Sequence, residues 1–451
     1  MVASPPFTEE WHRMKRAQIL RIGLFQLAAG AASVIFLGIV NRVMRVELGI
    51  DLLTVSVLVG GGHYLGALVA VPFGHYSDTH RLGGYRRTVY ALAGAALTAL
   101  ALAASPFVAV WLSQNQTLLG AALGFLFFFA EGLSTYIAGT AYLALIADLT
   151  TDSERGQVTG VAWTMLMVGI IATGVGAGIA LRNYSFDSLV TLTLIGGIVA
   201  MTLSLAALIG QERREAAAAS RPARPPAPPP LADALRMLTA NASSRWFGAF
   251  LLLSLFSYFM QDAILEPFGG EVFGLDAAST TRFNAYMGVG VVAAMLAGGL
   301  WLIPRFGKPR VTALGCWLQG AAFALLAYAS LSGLASWLPL AILFLGLGAG
   351  FFTVGGVSLM MDMTFAKHTG LFVGAWTLLQ AIAKGPAAIV GGALQTALAR
   401  SGAEAAQAYA GVFAFEGAGI LLSIYLLSRV GVQAFRRQAE SFGEVLAQAA
   451  E

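Results

Sequence analysis

Three ionisable residues lie inside long apolar stretches of this sequence, where a charge is costly. Glu131 lies in the run FFFAEG, Lys384 in the run QAIAKGP, and Glu416 in a later apolar stretch. A charge at the centre of a bilayer costs about 2.5–3.5 kcal/mol on insertion scales, so such residues usually face a cavity or a partner. The opposite charges in neighbouring stretches predict a Lys384–Glu416 ion pair, which is either structural or used to handle a ligand or a proton.

Two further carboxylates, Asp262 and Glu266, are four residues apart and therefore share one face of a predicted helix. Pro267 and the glycines after it are expected to end that helix and let the backbone turn. The two carboxylates could bind a cation, a proton or the polar edge of a ligand. The alternative is a solvated, helix-capping face at the membrane exit.

His63 lies in the middle of an apolar stretch among several glycines. A neutral imidazole there could ligate the magnesium of a chlorin, with the glycines leaving room for a flat macrocycle. The alternative is a histidine that hydrogen-bonds across helices.

The sequence contains no recognisable motif of a catalytic site. It shows no nucleophile with an evident base, no metal-ligand spacing and no phosphate-binding loop. The single cysteine, Cys316, excludes an intramolecular disulfide and a cysteine-based metal cluster. The sequence therefore predicts a protein that is not an enzyme.

The elements that position these residues must lie in lipid. Of the 451 residues, 57% are hydrophobic and 11% are charged, and the mean hydropathy is +0.74. A spanning helix needs about 20 mostly apolar residues. Twelve stretches meet that requirement: 19–41, 52–76, 88–111, 118–147, 157–181, 186–210, 245–266, 282–303, 311–331, 336–361, 370–397 and 407–429.

The basic residues indicate how the chain is oriented. Most of the 27 Lys and Arg fall on one side of the twelve stretches, which by the positive-inside rule places both termini of this inner-membrane protein in the cytoplasm. We expect no cleaved signal peptide. The net charge of +4 is explained by this asymmetry, so nucleic acid is not an expected partner.

The chain divides into two halves of six stretches each. This gives a cytoplasmic N-terminal segment (1–18), a first six-helix bundle (19–210), a Pro- and Arg-rich cytoplasmic linker (211–244), a second six-helix bundle (245–429) and a cytoplasmic C-terminal tail (430–451). The halves are related by an internal repeat: Asp148, Thr150, Gly156 and Gly160 recur as Asp362, Thr364, Gly370 and Gly374.

Twelve helices in two repeated halves resemble the construction of the major facilitator superfamily, an all-α membrane fold with a central cavity between the halves. A loop after the second stretch also resembles that superfamily's cytoplasmic gating loop. It contains Gly74, Asp78, Arg81, Arg86 and Arg87. The corresponding loop of the second half, residues 305–310, lacks the aspartate, which weakens the case for two equal gates.

Three motifs resemble one family within that superfamily, the PucC or bacteriochlorophyll delivery family. The hallmark is Gln261-Asp262-x-x-Leu265-Glu266-Pro267-x-Gly269-Gly270-x-Val272-Phe273-Gly274, and it is accompanied by the segments 41–49 and 130–132. We refer to 261–274 and 41–49 as the second and the first hallmark segment.

The resemblance implies an assembly factor for bacterial light-harvesting antennae in the intracytoplasmic photosynthetic membrane. Such a protein delivers bacteriochlorophyll, bound as cargo, to antenna polypeptides or chaperones them, and pigment-synthesis enzymes are further expected partners. Carried onto this chain, Glu131, Asp262 and Glu266 take a ligand-binding or conformational role. The alternative is a proton-coupled secondary transporter of an amphiphilic or tetrapyrrole solute, using Glu131, Asp262, Glu266 or Glu416.

Overall fold

The computed structural model describes residues 15–68, 73, 76, 80–212, 242–362 and 369–431, with the backbone alone at 152–153, 362 and 369–378. Its helices are α1 (Arg16–Val46), α2 (Leu52–Leu68), α3 (Thr88–Gln114), α4 (Leu118–Leu149), α5 (Asp152–Ala180), α6 (Phe186–Leu208), α7 (a bent pair, Ala242–Ala263 and Leu265–Phe273), α8 (Ala277–Phe306), α9 (Lys308–Ser332), α10 (Leu338–Asp362), α11 (Thr369–Arg400) and α12 (Ala405–Ser428).

Within the described residues the fold is all-helical, and no strand is present. Nine helices of this part of the chain are long and apolar enough to cross a membrane, or ten if the bent pair α7 counts as one crossing. The predicted all-α membrane protein is thus confirmed, whereas a count of twelve crossings stays a prediction. The predicted N-terminal segment, linker and C-terminal tail lie largely outside the described residues.

Successive helices run in alternate directions between two ends of the bundle. We call the end at which α1 begins, at Arg16, the near end, and the opposite end, where α1 stops at Val46, the far end. The described contacts between the two halves concentrate toward the far end, where α5 packs on α8 and α2 packs on α11. Gly174 of α5 lies against Ala285 of α8, and Gly392 of α11 lies against Ser56 of α2.

Glycines allow the helices of the first half to approach closely. A side chain at Gly132 of α4 would overlap the backbone of His63 on α2, and one at Gly66 would overlap the backbone of Leu133. Small residues at such crossings let backbones meet without a hydrophobic driving force, which lipid does not supply. The crossing fixes the position of His63 against α4.

We therefore expect Gly132→Ala to destabilise the protein. The added methyl group has no space, and overpacking of this kind costs about 1–3 kcal/mol. The measurement is the thermal unfolding midpoint in detergent. The matched control is Gly139→Ala in the same helix, where a side chain meets open space, and equal midpoints for the two variants would contradict the expectation.

The α7 pair differs from its prediction. The first arm tightens into a 3₁₀ turn at Met260–Ala263, and the second arm starts at Leu265 with a bend of 47°. Asp262 and Glu266 consequently lie on different arms of the pair, so the prediction of one continuous helix was wrong, although both side chains line one cavity. Pro267 does not end a helix, because it lies in the first turn of the second arm, where its missing N–H costs little. That arm ends at Gly274, which has a φ of 63°.

Candidate functional site

A cavity of about 420 Å³ lies between the two halves. Helices α1 and α5 of the first half and α7, α8, α10 and α11 of the second half line it. Its polar wall includes Ser33, Gln261, Asp262, Glu266, Asn284, Thr353 and Lys384. The structure therefore brings together four of the predicted site residues, namely Gln261, Asp262, Glu266 and Lys384.

Asp262 links the two halves across this cavity. One carboxylate oxygen accepts a hydrogen bond of 2.5 Å from the hydroxyl of Tyr64 on α2. The other accepts one of 2.8 Å from the side-chain amide of Gln261. Both oxygens of Asp262 are thus engaged, and the Tyr64 bond ties α2 to the bend of α7.

Glu266 is buried between α1, α7 and α8. Its Oε1 accepts a hydrogen bond of 2.6 Å from the amide of Asn284, and a side chain at Gly38 of α1 would overlap that same oxygen. Its Oε2 is also buried and has no hydrogen-bond partner among the described residues. The alternative of a solvated or capping face is therefore wrong for Glu266, which is 6% exposed.

The first hallmark segment supports the bend in α7. The side-chain amide of Asn41 donates to the backbone carbonyls of Asp262 and Ala263, each at 3.3 Å. A helix break in lipid frees carbonyls that must find donors within the protein. Asn41 supplies one from the opposite half of the chain.

Charged residues of the two hallmark segments also meet at the far end. Arg42 pairs with Glu47 and donates at 2.8 Å to the carbonyl of Leu275. Arg45 lies 2.5 Å from Glu271, and the hydroxyl of Tyr409 on α12 donates to the other oxygen of Glu271 at 2.8 Å. We call Arg45, Glu271 and Tyr409 the far-end cluster, because it joins the two halves there.

Glu131 and His63 form a buried pair inside the first half. Nδ1 of His63 lies 2.6 Å from Oε2 of Glu131, and the hydroxyl of Thr135 donates to Oε1 at 3.0 Å. A cavity of about 90 Å³ adjoins the pair. The structure thus brings Glu131 to His63 and not to the central cavity.

The space predicted for a macrocycle beside His63 is filled. A side chain at Gly60 would overlap the backbone of Gly385, and one at Gly62 would overlap Phe128. These glycines serve close helix packing, and His63 makes the hydrogen bond across helices that was the alternative, while ligation of a pigment by its other ring nitrogen stays a prediction.

The predicted Lys384–Glu416 ion pair is wrong as well. The ammonium of Lys384 lies 4.5 Å from the ring centre of Phe259 on α7. Glu416 is fully buried on α12, and neither of its oxygens has a hydrogen-bond partner in the described part of the chain. The two helices are neighbours, but the two side chains do not meet.

Of the predicted gating loop, Gly74 and Asp78 lie outside the described residues, while Arg81, Arg86 and Arg87 lie within them. The carboxylate of Glu212, after α6, accepts from the backbone N–H groups of Arg86 at 2.6 Å and Thr88 at 2.8 Å. Arg87 pairs with Asp148 at 3.1 Å. Sequence reasoning missed Glu212, since it lies in the stretch assigned to the linker.

Glu212 should make the stability of this loop depend on pH. Burial raises the pKa of Glu212, but the hydrogen bonds from Thr88, Arg86 and Arg87 outweigh it, so the net pKa is lowered from its usual value of 4.5. A carboxylate whose pKa is lowered on folding stabilises the protein fully at pH values above its unfolded pKa of 4.5. This stabilisation is lost as the pH falls through the lower pKa of the folded state.

We expect Glu212→Gln to unfold at a lower temperature than the wild type at pH 7, with the difference shrinking as the pH falls below about 4.5. Thermal midpoints between pH 7 and about pH 4 measure this. A difference that grows toward low pH would contradict it.

Several site residues carried no chemical signal of their own in the sequence, among them Tyr64, Asn284 and Tyr409. Their roles depend on which helix they meet. Asn41, Arg45 and Glu271 could have been found, because they lie within the two hallmark segments.

Comparison with known proteins agrees with this geometry. Two solved transporter structures, a mutant of the nucleoside transporter NupG and a bacterial Spinster homologue in an inward-facing and unoccupied conformation, match with TM-scores of 0.68 and 0.66. Both are 13% identical to this chain. The NupG match covers 92% of this chain and 99% of NupG. The Spinster match covers 96% of this chain and 97% of that homologue. The chain therefore has the fold of major facilitator transporters.

Sequence relatives are much closer. The "Bacteriochlorophyll synthase 44.5 kDa chain" of Rhodobacter capsulatus is 34% identical over 83% of this chain and 86% of its own length. "Protein PucC" of Cereibacter sphaeroides is 30% identical over 91% of both. The family model described as "PUCC protein" matches residues 39–435, and on this match the chain belongs to the PucC family.

Proposed function

We propose that this chain is an assembly factor for bacterial light-harvesting antennae. It delivers bacteriochlorophyll to antenna polypeptides, or chaperones them, in the intracytoplasmic photosynthetic membrane, with both termini in the cytoplasm. It is not an enzyme, and the pigment is its cargo. The observation that carries the proposal is family membership over residues 39–435, with a relative whose name refers to bacteriochlorophyll.

The central cavity supports a cargo of this kind. Sites for small molecules are concave, mostly apolar, and about 300–1,000 Å³ in volume, with a few polar groups that fix orientation. Here a cavity of about 420 Å³ combines apolar walls with Asp262, Glu266 and Lys384. Antenna polypeptides would meet the lipid-facing apolar side chains of the bundle, and pigment-synthesis enzymes would supply the cargo.

Deleting the gene in its native host tests the proposal. We expect the near-infrared absorption band of one antenna complex to fall selectively, and the intact gene to restore it. Protein purified in mild detergent from native membranes should carry bacteriochlorophyll or antenna polypeptides. Unchanged antenna bands in the deletion strain would refute the proposal.

A second candidate is a proton-coupled secondary transporter of an amphiphilic or tetrapyrrole solute. The observation that favours it is the pair of carboxylates, Asp262 and Glu266, beside a cavity between two halves joined at the far end. Such a cavity suits alternating access. Colourless protein that takes up solute in vesicles along a proton gradient, together with unchanged antenna bands, would favour this candidate.

A further inference from the structure

A second cavity, of about 220 Å³, adjoins the central one. The two share the residues Tyr258, Phe259, Ala349, Thr353 and Lys384 in their walls. Aromatic rings of Trp163, Tyr258, Phe259 and Phe352 line the second cavity, and its described lining contains no carboxylate. That lining, as far as the structure describes it, is therefore mostly apolar and aromatic, with the neutral polar side chains of Ser254, Gln319, Thr353 and Gln380 and a single cation, Lys384.

Lys384 lacks an anion of its own in the part of the chain that the structure describes. Within the described residues, no carboxylate lies within ion-pair distance of its ammonium, which instead lies 4.5 Å from the ring centre of Phe259. Asp262 is close enough to interact with it electrostatically but lies beyond ion-pair distance, and its oxygens accept hydrogen bonds from Tyr64 and Gln261. A cation over a ring face is in a favourable position, and Lys384, which is half-buried in the wall of both cavities, can still pair with an anion that enters them.

An unsatisfied polar group lies in the same cavity. Oε1 of Gln319 is buried and has no hydrogen-bond partner among the described residues, and the residue is 2% exposed. Buried polar atoms are nearly always satisfied, so one that is not calls for an explanation such as an absent ligand. The cation in this aromatic cavity fits an anion at one end of an apolar molecule, whereas the Gln319 oxygen needs an O–H or N–H donor, which a carboxylate does not supply.

We propose that Lys384 binds the carboxylate of an otherwise apolar molecule whose body lies against the aromatic wall and extends into the central cavity. This goes beyond the proposed function, because bacteriochlorophyll carries its acid groups as esters and offers no free carboxylate. If the ligand is a tetrapyrrole, it is a free acid distinct from that cargo. A fatty acid offers the same chemistry and is the other source of such an anion.

The test compares one macrocycle in two forms. Pheophorbide and its methyl ester are titrated against the full-length protein in lipid nanodiscs, with pigment fluorescence as the readout. The wild type should bind the free acid at least tenfold tighter than the ester. Lys384→Met should lose that preference and leave ester binding within about twofold, because a buried ion pair acts on the charged form alone.

Two further variants complete the test. Lys384→Arg should keep the preference for the acid, and Lys308→Met, which removes a lysine at the near end, should bind like the wild type. Competition with an excess of oleate distinguishes a tetrapyrrole acid from a fatty acid as the ligand. If oleate displaces bound pheophorbide only weakly, the site is assigned to the tetrapyrrole. If oleate displaces it as strongly as unlabelled pheophorbide does, the site is assigned to a fatty acid.

Equal binding of acid and ester by the wild type, or equal weakening of both in Lys384→Met, would overturn the inference. So would the absence of binding in either form. None of these results touches the proposed function itself, which depends on the antenna bands of the deletion strain.

Discussion

Arg45→Glu is expected to open the far end of the bundle. The variant places a second carboxylate against Glu271, whose oxygens lie 2.5 Å from Arg45 and 2.8 Å from Tyr409 in the far-end cluster. An attraction that joins the two halves becomes a repulsion. Coupling energies of about 1–3 kcal/mol correspond to 5–150-fold changes in a conformational equilibrium, so we expect at least a tenfold (~1.4 kcal/mol) shift toward the open state.

Thiol labelling measures this shift. The only cysteine, Cys316, is buried and can be replaced by alanine, and Ser33→Cys then introduces a reporter in the wall of the central cavity. A membrane-impermeant maleimide added at the far end, which the proposed orientation places in the periplasm, should label this cysteine at least tenfold faster in Arg45→Glu.

The charge swap is the decisive control. Combining Arg45→Glu with Glu271→Arg restores opposite charges and should return labelling to the original rate. Arg182→Glu reverses an exposed charge at the same end and should have no effect. If the single variant is labelled no faster, or the swap does not restore the slow rate, the far-end cluster does not hold the halves together.

The hallmark segments illustrate what the sequence could predict. Resemblance to the PucC family marked 41–49 and 261–274, and the helices that contain them follow from the length of apolar stretches that lipid requires. Their contact with each other does not, because the hydrogen bonds from Asn41 to the carbonyls of Asp262 and Ala263 join residues more than two hundred positions apart. The bend in α7 has the same cause, since a break in lipid needs a donor from elsewhere in the fold.

The Lys384–Glu416 prediction failed for a related reason. In a water-soluble helix the apolar stripe shows which face is inward, but α11 and α12 are apolar on nearly every side. The sequence therefore does not fix their rotation, and two opposite charges in neighbouring helices need not face each other. The glycines around His63 were ambiguous in the same way, because a glycine marks either open space or a close crossing.

Glu131→Leu is expected to cause the largest loss of stability. Glu131 is 4% exposed and accepts from Thr135 while pairing with His63. Removing one partner of a buried pair costs about 3–5 kcal/mol, because the other partner keeps its desolvation penalty. The thermal unfolding midpoint in detergent should therefore fall further than in Gly132→Ala, while Glu131→Gln, which keeps an acceptor, should fall less.

The double variant His63→Phe, Glu131→Leu separates a structural pair from a functional one. Replacing both partners with apolar groups is often neutral for stability, so most of the lost midpoint should return. If the antenna bands of a deletion strain also return with this variant, the pair serves packing alone. If the double variant is stable but the bands stay low, the pair has a role in cargo handling or in the conformational cycle. If the double variant is less stable than either single variant, the two side chains do not act as a pair.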